Sequence, residues 1–266
     1  MLRIFRSVRE QMLSGNQISR YLAYALGEIV LVVIGILIAL SLDNWNKQQA
    51  ENRQEAQSLA NLCSDLDEQS VLLTEFIRIE TAYSDHGVEV VQHFVRHKGF
   101  HQMDSVLPQL NSLASRRTFN PTNTTFKELI STGTIGLIRN DTVKRAIVRY
   151  YHNLERVNLI VNNNNARLVD ALFNPVLFDQ TRFVSDIDDP EMNELSNRIL
   201  DSASLQFLKA ASDNQLSDPA NSLHLMNALQ ERINVANGHI NLYNTLQAET
   251  RALHQKLKKE LEKSGE

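Results

Sequence analysis

A long apolar run near the N-terminus is the first feature of the hydrophobic pattern. Residues 21–42, YLAYALGEIVLVVIGILIALSL, contain a single charged residue, Glu28. At a rise of about 1.5 Å per residue, a helix of this length crosses the roughly 30 Å hydrocarbon core of a bilayer. The pattern therefore predicts a transmembrane helix over residues 21–42. A cleaved signal peptide is the alternative, but the apolar core of a signal peptide has only roughly 7 to 15 residues.

The pattern changes twice after this helix. Residues 43–58 are polar all round and rich in helix-forming residues, which predicts a solvated helical stalk. Apolar residues then recur at spacings of three and four: Leu59, Leu62, Leu66, Leu73 and Phe76. This spacing predicts that the helix enters a helical bundle, which we assign to residues 59–266.

A bend is predicted near residues 85–87, followed by a helical stripe that carries His93 and His97. Two His four residues apart lie on one face of a helix and can bind a divalent metal ion. No acidic residue or Cys stands in a convincing position beside them, and Lys98 with Gly99 should end the helix. We therefore expect a solvated His-rich face, with His93 and His97 as the candidate metal ligands.

Residues 118–140 form the least regular part of the sequence. Turn-forming residues at 121–125 supply N-cap chemistry for a short amphipathic helix, and Gly133 stands at a C-cap position where a positive φ is easy. Asn140 or Asp141 is placed to cap the next helix. The pattern predicts a helical corner, with a ligand-binding or partner-docking loop as the alternative.

Heptad spacing, which is typical of coiled-coil packing, predicts the next long helix. Its inner face is Val143, Ile147, Tyr150, Leu154, Val157, Val161, Asn164, Leu168 and Ala171. Asn164 is the polar member, and a polar residue on such a face can fix register or partner number. Asn174 with Pro175 should end the helix. A further helix is expected to start within residues 185–190, with an inner face of Met192, Leu195, Ile199, Ala203 and Phe207.

The last helix is predicted from about residue 220 to 262, capped by Ser217 and Asp218 before Pro219. Its inner face is Met226, Leu229, Ile233, Ala236, Ile240 and Tyr243, continued after a slip by Leu246, Leu253, Leu257 and Leu261. Antiparallel pairing with the first helix would bring its basic end towards lipid headgroups. A solvated charged helix end is the alternative.

Charge determines the predicted orientation. The N-terminal flank carries Arg3, Arg6, Arg9 and Arg20 against one acid, and an excess of Arg in a short flank marks the cytoplasmic side. We predict a basic cytoplasmic leader over residues 1–20, a single pass through the inner membrane and a periplasmic C-terminal domain. Trp45 stands where an aromatic residue would anchor the helix at the outer interface.

Two features of the predicted transmembrane helix go beyond its apolar character. Ala23, Gly27, Gly35 and Ala39 share one face, and small residues at four-residue spacing let helices approach closely in lipid. This face predicts a homo-oligomer or a membrane-protein partner. The burial of a charged Glu28 in a bilayer costs free energy, which indicates a function such as proton handling or pairing with a partner's cation. The alternative is that Glu28 is protonated or that its side chain reaches the interface.

Composition narrows the class of protein. Nine Gly and five Pro among 266 residues leave few helix breakers, which favours an all-α fold. The lone Cys63 excludes an intrachain disulfide, and we expect it to pack in the core. The net charge of −4 does not indicate a basic surface that would bind nucleic acid. No nucleophile elbow, phosphate loop or HExxH motif occurs, so we predict no catalytic residue, no cofactor and no enzymatic activity.

The run GEIVLVVIGILIALSLDNWN at residues 27–46, with the Arg-rich leader and Tyr21, resembles the N-terminal signature of an uncharacterised family of single-pass membrane proteins from Bacteroidota. Residues 118–140, followed by Tyr150 and Tyr151, are similar to the same family. The resemblance implies location in a membrane and assigns no role to any residue. It suggests four positions for testing: Glu28, Asn44, Trp45 and Gly133.

Three hypotheses for function follow from these features. The first is a non-enzymatic interaction or scaffold protein that self-associates through the transmembrane helix and the heptad faces. The second is an extracytoplasmic ligand sensor that signals through a partner, which needs a pocket with converging polar groups. The third is a subunit of an ion-driven membrane complex that uses Glu28, and the replacement of Glu28 by Gln would separate it from the first.

Overall fold

The computed structural model is all-α over the residues that it describes, 18–183 and 199–264, and those two ranges contain no strand. Most of the predicted leader, residues 1–17, lies outside them. The predicted helix start at residues 185–190 lies outside them too, together with Met192 and Leu195. The chain divides into two compact units, Met1–Gln57 and Ser58–Glu266, and helix α1 (Ile18–His97) contributes to both.

The described part of the first unit is helical, and its apolar surface is uncovered. Every large apolar side chain from Leu22 to Leu42 is exposed, at 47% to 73% of its surface. Among the described residues, α1 is the one helix long and apolar enough to cross a membrane, judged by length and composition, a criterion that a signal sequence also meets. The all-α fold with one long apolar N-terminal helix is therefore confirmed.

The second unit is built on three long helical segments. They are the part of α1 after residue 57, a segment that begins with α4 (Asp141–Asn164), and α7 (Pro219–Ser264). The predicted antiparallel pairing of the first and last helices is confirmed by a ladder of contacts. His254 lies 3.2 Å from Asp67, while Gln247 donates to Thr74 at 2.8 Å. α7 also runs antiparallel to α4, since Asn140 contacts Glu260 and Tyr150 contacts Thr250.

Shorter elements connect these segments. They are the 3₁₀ turns Met103–Ser105 and Thr134–Leu137, and the helices α2 (Leu107–Ser112), α3 (Thr124–Ser131) and α6 (Ser202–Ser217). Gly133 has the expected positive φ, 73°. The side chain of Asn140 caps α4 by accepting from the backbone of Thr142 and Val143, as the sequence indicates.

The N-terminus of α3 is capped from outside the predicted turn. Asn123, at the N-cap position, makes no side-chain cap hydrogen bond. The carboxylate of Asp65 on α1 accepts from the backbone N–H of Thr125 at 2.9 Å instead. The prediction that residues 121–125 supply the cap is therefore wrong, because a carboxylate from a neighbouring helix takes that position.

The core forms two clusters along the bundle. The first core cluster joins Leu59–Phe76 of α1, α4 and Tyr243–Leu257 of α7. The second joins Val90 of α1, α2 and Leu225–Leu229 of α7. All five residues predicted for the inner face of α1 between Leu59 and Phe76 are buried, and so is Cys63. The heptad faces are thus covered within a single chain.

The inner face of α7 differs from the predicted one. A series of buried residues follows spacings of four and three throughout: Leu225, Leu229, Arg232, Ala236, His239, Tyr243, Leu246, Thr250, Leu253 and Leu257. Met226, Ile233 and Ile240 are only half-buried. The predicted slip is therefore wrong, because it results from passing over the polar members of a regular series.

The helix that begins with α4 continues past its predicted end. A π-helical stretch, Asn165–Phe173, follows α4 directly, and α5 (Asn174–Gln180) follows that, so Asn174 and Pro175 do not end the helical backbone. The buried residues in this stretch are Asn165, Val169 and Phe173. The wider π turn keeps residues four apart on one face, so Asn165 rather than Asn164 is the fully buried asparagine.

Two further predictions are corrected. α1 continues through residues 85–87, so the predicted bend does not interrupt the helix. Ile199, which precedes α6, and Phe207, which lies on it, are 69% and 72% exposed, so they do not form the predicted inner face. The buried residue of α6 is Leu216. The packing of α6 against Gln180 places the predicted face outwards.

Candidate functional site

Three charged or ionisable side chains meet in the interior of the second unit. Glu80 comes from α1, and Arg232 and His239 come from α7; we call them the buried charged layer. Their side chains are 3%, 1% and 0% exposed. Glu80 occupies an inner position of α1, four residues after Phe76, so helical periodicity directs it to α7. Buried charges require partners, and these residues supply them to one another.

Glu80 contacts both α7 residues, one with each carboxylate oxygen. Oε1 lies 3.1 Å from Nδ1 of His239, and Oε2 lies 3.6 Å from a terminal nitrogen of Arg232. A single carboxylate therefore bridges two positions of α7 that are seven residues apart, or about two turns of helix.

Arg232 has further partners beyond Glu80. Its Nε donates to the carbonyl of Leu113 at 3.0 Å, and its guanidinium lies 4.7 Å above the ring of Tyr83. Burial lowers the pKa of Arg232, whereas the charge of Glu80 raises it. The guanidinium thus fastens the segment after α2 to the helix pair.

His239 is held at both ring nitrogens. Nε2 lies 3.3 Å from the amide nitrogen of Asn164, and Nδ1 faces Glu80. With the amide nitrogen as donor, Nε2 accepts and the ring proton is on Nδ1, where it points to the carboxylate. Asn164 therefore connects α4 to the buried charged layer, even though it is not the most buried asparagine of its run.

The buried charged layer separates the two core clusters. Along α1 it follows Phe76 of the first core cluster and precedes Val90 of the second; along α7 it lies between Leu229 and Tyr243. A buried ion pair adds little stability compared with apolar packing, but it fixes which residues face each other. The arrangement is therefore suited to setting helix register, and its polar atoms do not open onto a cleft.

The residues predicted for the membrane face all lie on α1. Gly27, Glu28, Gly35, Ala39 and Trp45 are exposed in the first unit. The side chain of Ala23 is outside those that the structure describes. A Cβ added at Gly27 or Gly35 would meet no atom of the described residues within 4 Å, so none of those residues fills this face.

The candidate metal ligands are placed differently from the prediction. His93 is buried, and its Nε2 donates to the carbonyl of His101 at 2.7 Å, so that nitrogen is occupied. His97 is exposed, with its ring centroid 4.3 Å from that of His93. The prediction of a solvated face is wrong for His93, because the chain after α1 turns back over it. Among the described residues, no group of three His, Cys, Asp or Glu side chains is arranged to hold a metal ion.

Comparison with known proteins places most of the chain in one family. The model of a family of unknown function, DUF6090, matches residues 28–205, which include most of the apolar run and the chain as far as the start of α6. No curated protein and no solved structure matches the chain.

Proposed function

The chain belongs to the family of unknown function DUF6090, and we propose that it is a membrane-anchored, non-enzymatic interaction protein whose apolar N-terminal helix associates with a second membrane helix. One observation carries this proposal. The apolar side chains from Leu22 to Leu42 are all exposed, whereas the heptad faces of the second unit are buried within one chain. The surface that remains to be covered is therefore the apolar run, by lipid and by another helix.

The small-residue face is the part of that run suited to helix contact. Gly27 and Gly35 are open to the outside, and small residues let a partner backbone approach closely. Because the heptad faces are already occupied, self-association through them is no longer part of the proposal. A second copy of the chain is the simplest partner for a small-residue face.

The proposed topology places residues 1–20 in the cytoplasm, residues 21–42 in the inner membrane and the second unit in the periplasm. The excess of Arg before the apolar run supports this orientation. The non-enzymatic assignment is supported by the location of the converging charged groups. Glu80, Arg232 and His239 are sealed in the core and partnered with one another, so a substrate has no approach to them.

Gentle extraction followed by native mass measurement tests the proposal. The wild-type chain should form a defined complex, with itself or with one co-purifying membrane protein. Gly35→Leu should dissociate it, because the new side chain blocks close approach. Val33→Leu, on the opposite side of the helix, is the matched control and should leave the complex intact.

The thermal midpoint of the second unit should be the same in all three proteins, since a Cβ at Gly35 meets no atom of the described residues within 4 Å. A monomer in the wild type would refute the proposal, and so would a complex that survives Gly35→Leu. Glu28→Gln examines the ion-driven alternative, with the mass of the complex measured as above and function measured by whether the variant can replace the wild type in cells. Loss of function with an intact complex in that variant would favour the alternative.

A further inference from the structure

A groove with a basic rim runs between α4 and α7. It consists of two adjoining depressions of about 410 and 330 Å³ that share Ala252 and Lys256. Arg149 of α4 borders the first depression, and Lys259 and Lys263 of α7 border the second. We call this feature the basic groove.

The acidic residues of the basic groove are already engaged. Glu249 accepts from the amide of Asn153 at 2.6 Å, and Glu260 accepts from the amide of Asn140 at 2.9 Å. Glu260 also lies 3.7 Å from Lys263. The two carboxylates are therefore engaged by side-chain amides of α4 and of its N-cap residue, and Glu260 lies beside a lysine as well.

Three cations of the basic groove are left without a counter-charge. Arg149, Lys256 and Lys259 make no ion pair or hydrogen bond within the described residues. Lys256 and Lys259 are three residues apart on one helix, a spacing at which like charges repel. A bound anion would relieve this repulsion and would face Arg149 from the other side of the groove.

The floor of the basic groove is apolar. Ala146 and Ala252 leave space between the helices, and Leu253 and the ring of Tyr150 lie beneath. The hydroxyl of Tyr150 is bonded to Thr250 at 2.8 Å, so it adds no free polar group. A cationic rim over an apolar floor suits an anion that carries an apolar or neutral attachment.

We infer that the basic groove binds a phosphate-bearing ligand, with Arg149, Lys256 and Lys259 around the phosphate. The planar guanidinium of Arg149 can donate two parallel hydrogen bonds to phosphate oxygens, and the two lysines act as point charges. The phosphate can belong to a lipid headgroup or to a soluble compound. The groove lies at the end of the second unit that contains Ser58, because the C-terminal part of α7 pairs antiparallel with the start of that unit, where His254 lies 3.2 Å from Asp67.

Protection of individual lysines from acylation tests the inference on the full chain. The chain is kept in micelles of a glycoside detergent, which carries no phosphate, and the acylation rates of Lys256, Lys259 and Lys258 are followed by mass spectrometry. Lys258 is exposed and does not border the groove, so it is an internal control. One arm adds inorganic pyrophosphate, and the other adds phosphatidylglycerol to the micelles.

Slower acylation of Lys256 and Lys259 relative to Lys258 supports the inference in either arm. Protection with pyrophosphate identifies a soluble phosphate compound as the ligand class, and protection only with phosphatidylglycerol identifies a lipid headgroup. No protection in either arm would overturn the inference, and so would equal protection of Lys258, which would indicate unspecific attraction.

A pair of arginine variants locates the site. Arg149→Gln should lower the affinity of the groove for the protecting ligand by about tenfold, the factor expected for the loss of one charge-assisted contact. Arg145→Gln removes the same charge from an exposed position of α4 outside the groove and should leave protection unchanged. Equal protection in the two variants would overturn the assignment to the groove. These outcomes do not depend on the oligomeric state of the chain.

Discussion

Oε2 of Glu80 lies 3.6 Å from a terminal nitrogen of Arg232, and both side chains are almost completely withdrawn from solvent. The pair joins α1 to α7 between two apolar clusters, at a level of the bundle where most neighbouring inner positions carry apolar side chains. A shift of either helix along the other would separate the two charges in a medium that solvates them poorly. The pair therefore favours a single register.

Removal of one member of the Glu80–Arg232 pair should lower the stability of the second unit. Glu80→Gln leaves the Arg232 charge buried without a counter-charge, and we expect the free energy of unfolding to fall by about 3–5 kcal/mol in denaturant titrations. Glu75→Gln is the control on the same helix, because Glu75 forms an exposed ion pair with Arg78 and should change stability little. An equal loss of unfolding free energy in the two variants would show that the burial of the Glu80–Arg232 pair does not determine its contribution to stability.

Close contact between α1 and α7 at Gly87 gives a second prediction. A Cβ at this position would overlap Cγ1 of Ile233. Gly87→Ala should therefore lower the free energy of unfolding by about 1–3 kcal/mol through overpacking. Ile233→Ala in the same chain should recover part of that loss, and a double-mutant cycle measures the coupling. Strict additivity of the two changes would contradict the proposed contact.

The π-helical stretch gives a third prediction, on tolerance to deletion. Deletion of Arg167, exposed within Asn165–Phe173, should let an α-helical backbone keep Val161 and Val169 on the inner face, at spacings of four and three. Deletion of Glu155, exposed within α4, should rotate all later residues of the helix by about 100° and unfold the unit. Circular dichroism and thermal midpoints distinguish the two, and equally severe effects would refute the argument.

Alkaline pH should destabilise the second unit through its buried tyrosines. Burial raises the pKa of Tyr150 from 10.0 to about 12 and raises the pKa of Tyr151 and Tyr243 as well. In the unfolded chain these phenols ionise at their ordinary pKa. Their contribution to stability is thus fully present below pH 10.0 and is lost as the pH rises towards and beyond about 12.

Tyr151→Phe isolates this effect. The Tyr151 hydroxyl is buried without a hydrogen-bond partner among the described residues, and its ring stacks on Phe126 at 4.3 Å. The variant should keep the stacking, match or exceed wild-type stability at neutral pH, and lose less stability in alkali. Phenolate absorbance and denaturant titrations across the alkaline range provide the measurement. An unchanged alkaline loss would exclude Tyr151 as a contributor.

Much of the helical architecture could be read from hydrophobic spacing. Leu59 to Phe76 on α1 are buried as predicted, because side chains three and four residues apart must share a helix face. The caps at Gly133 and Asn140 were also predictable, since they depend on local backbone chemistry. The family could be recognised from the same apolar run that predicts the membrane helix.

The buried charged layer is not indicated by the spacing of apolar residues, because its members are polar residues at inner helix positions. Arg232, His239 and Thr250 fit the heptad spacing of α7 better than Ile233 and Ile240 do, and Glu80 continues the α1 series after Phe76. An unbroken heptad series that admits polar residues was the available signal. The spacing of apolar residues does not indicate the π-helical stretch at residues 165–173. It does not indicate the burial of His93 either, because that burial depends on how the turn after α1 brings the carbonyl of His101 onto the ring.

The antiparallel return of α7 has a mechanical consequence. Ser58, where the second unit begins, and the C-terminal end of α7 lie at the same end of the bundle, since α7 runs antiparallel to α1. A force applied between the apolar run and a tag at the C-terminus would therefore peel the helices apart one turn at a time. The contacts would load in sequence, from Leu257 towards the buried charged layer, and the second core cluster would be loaded last.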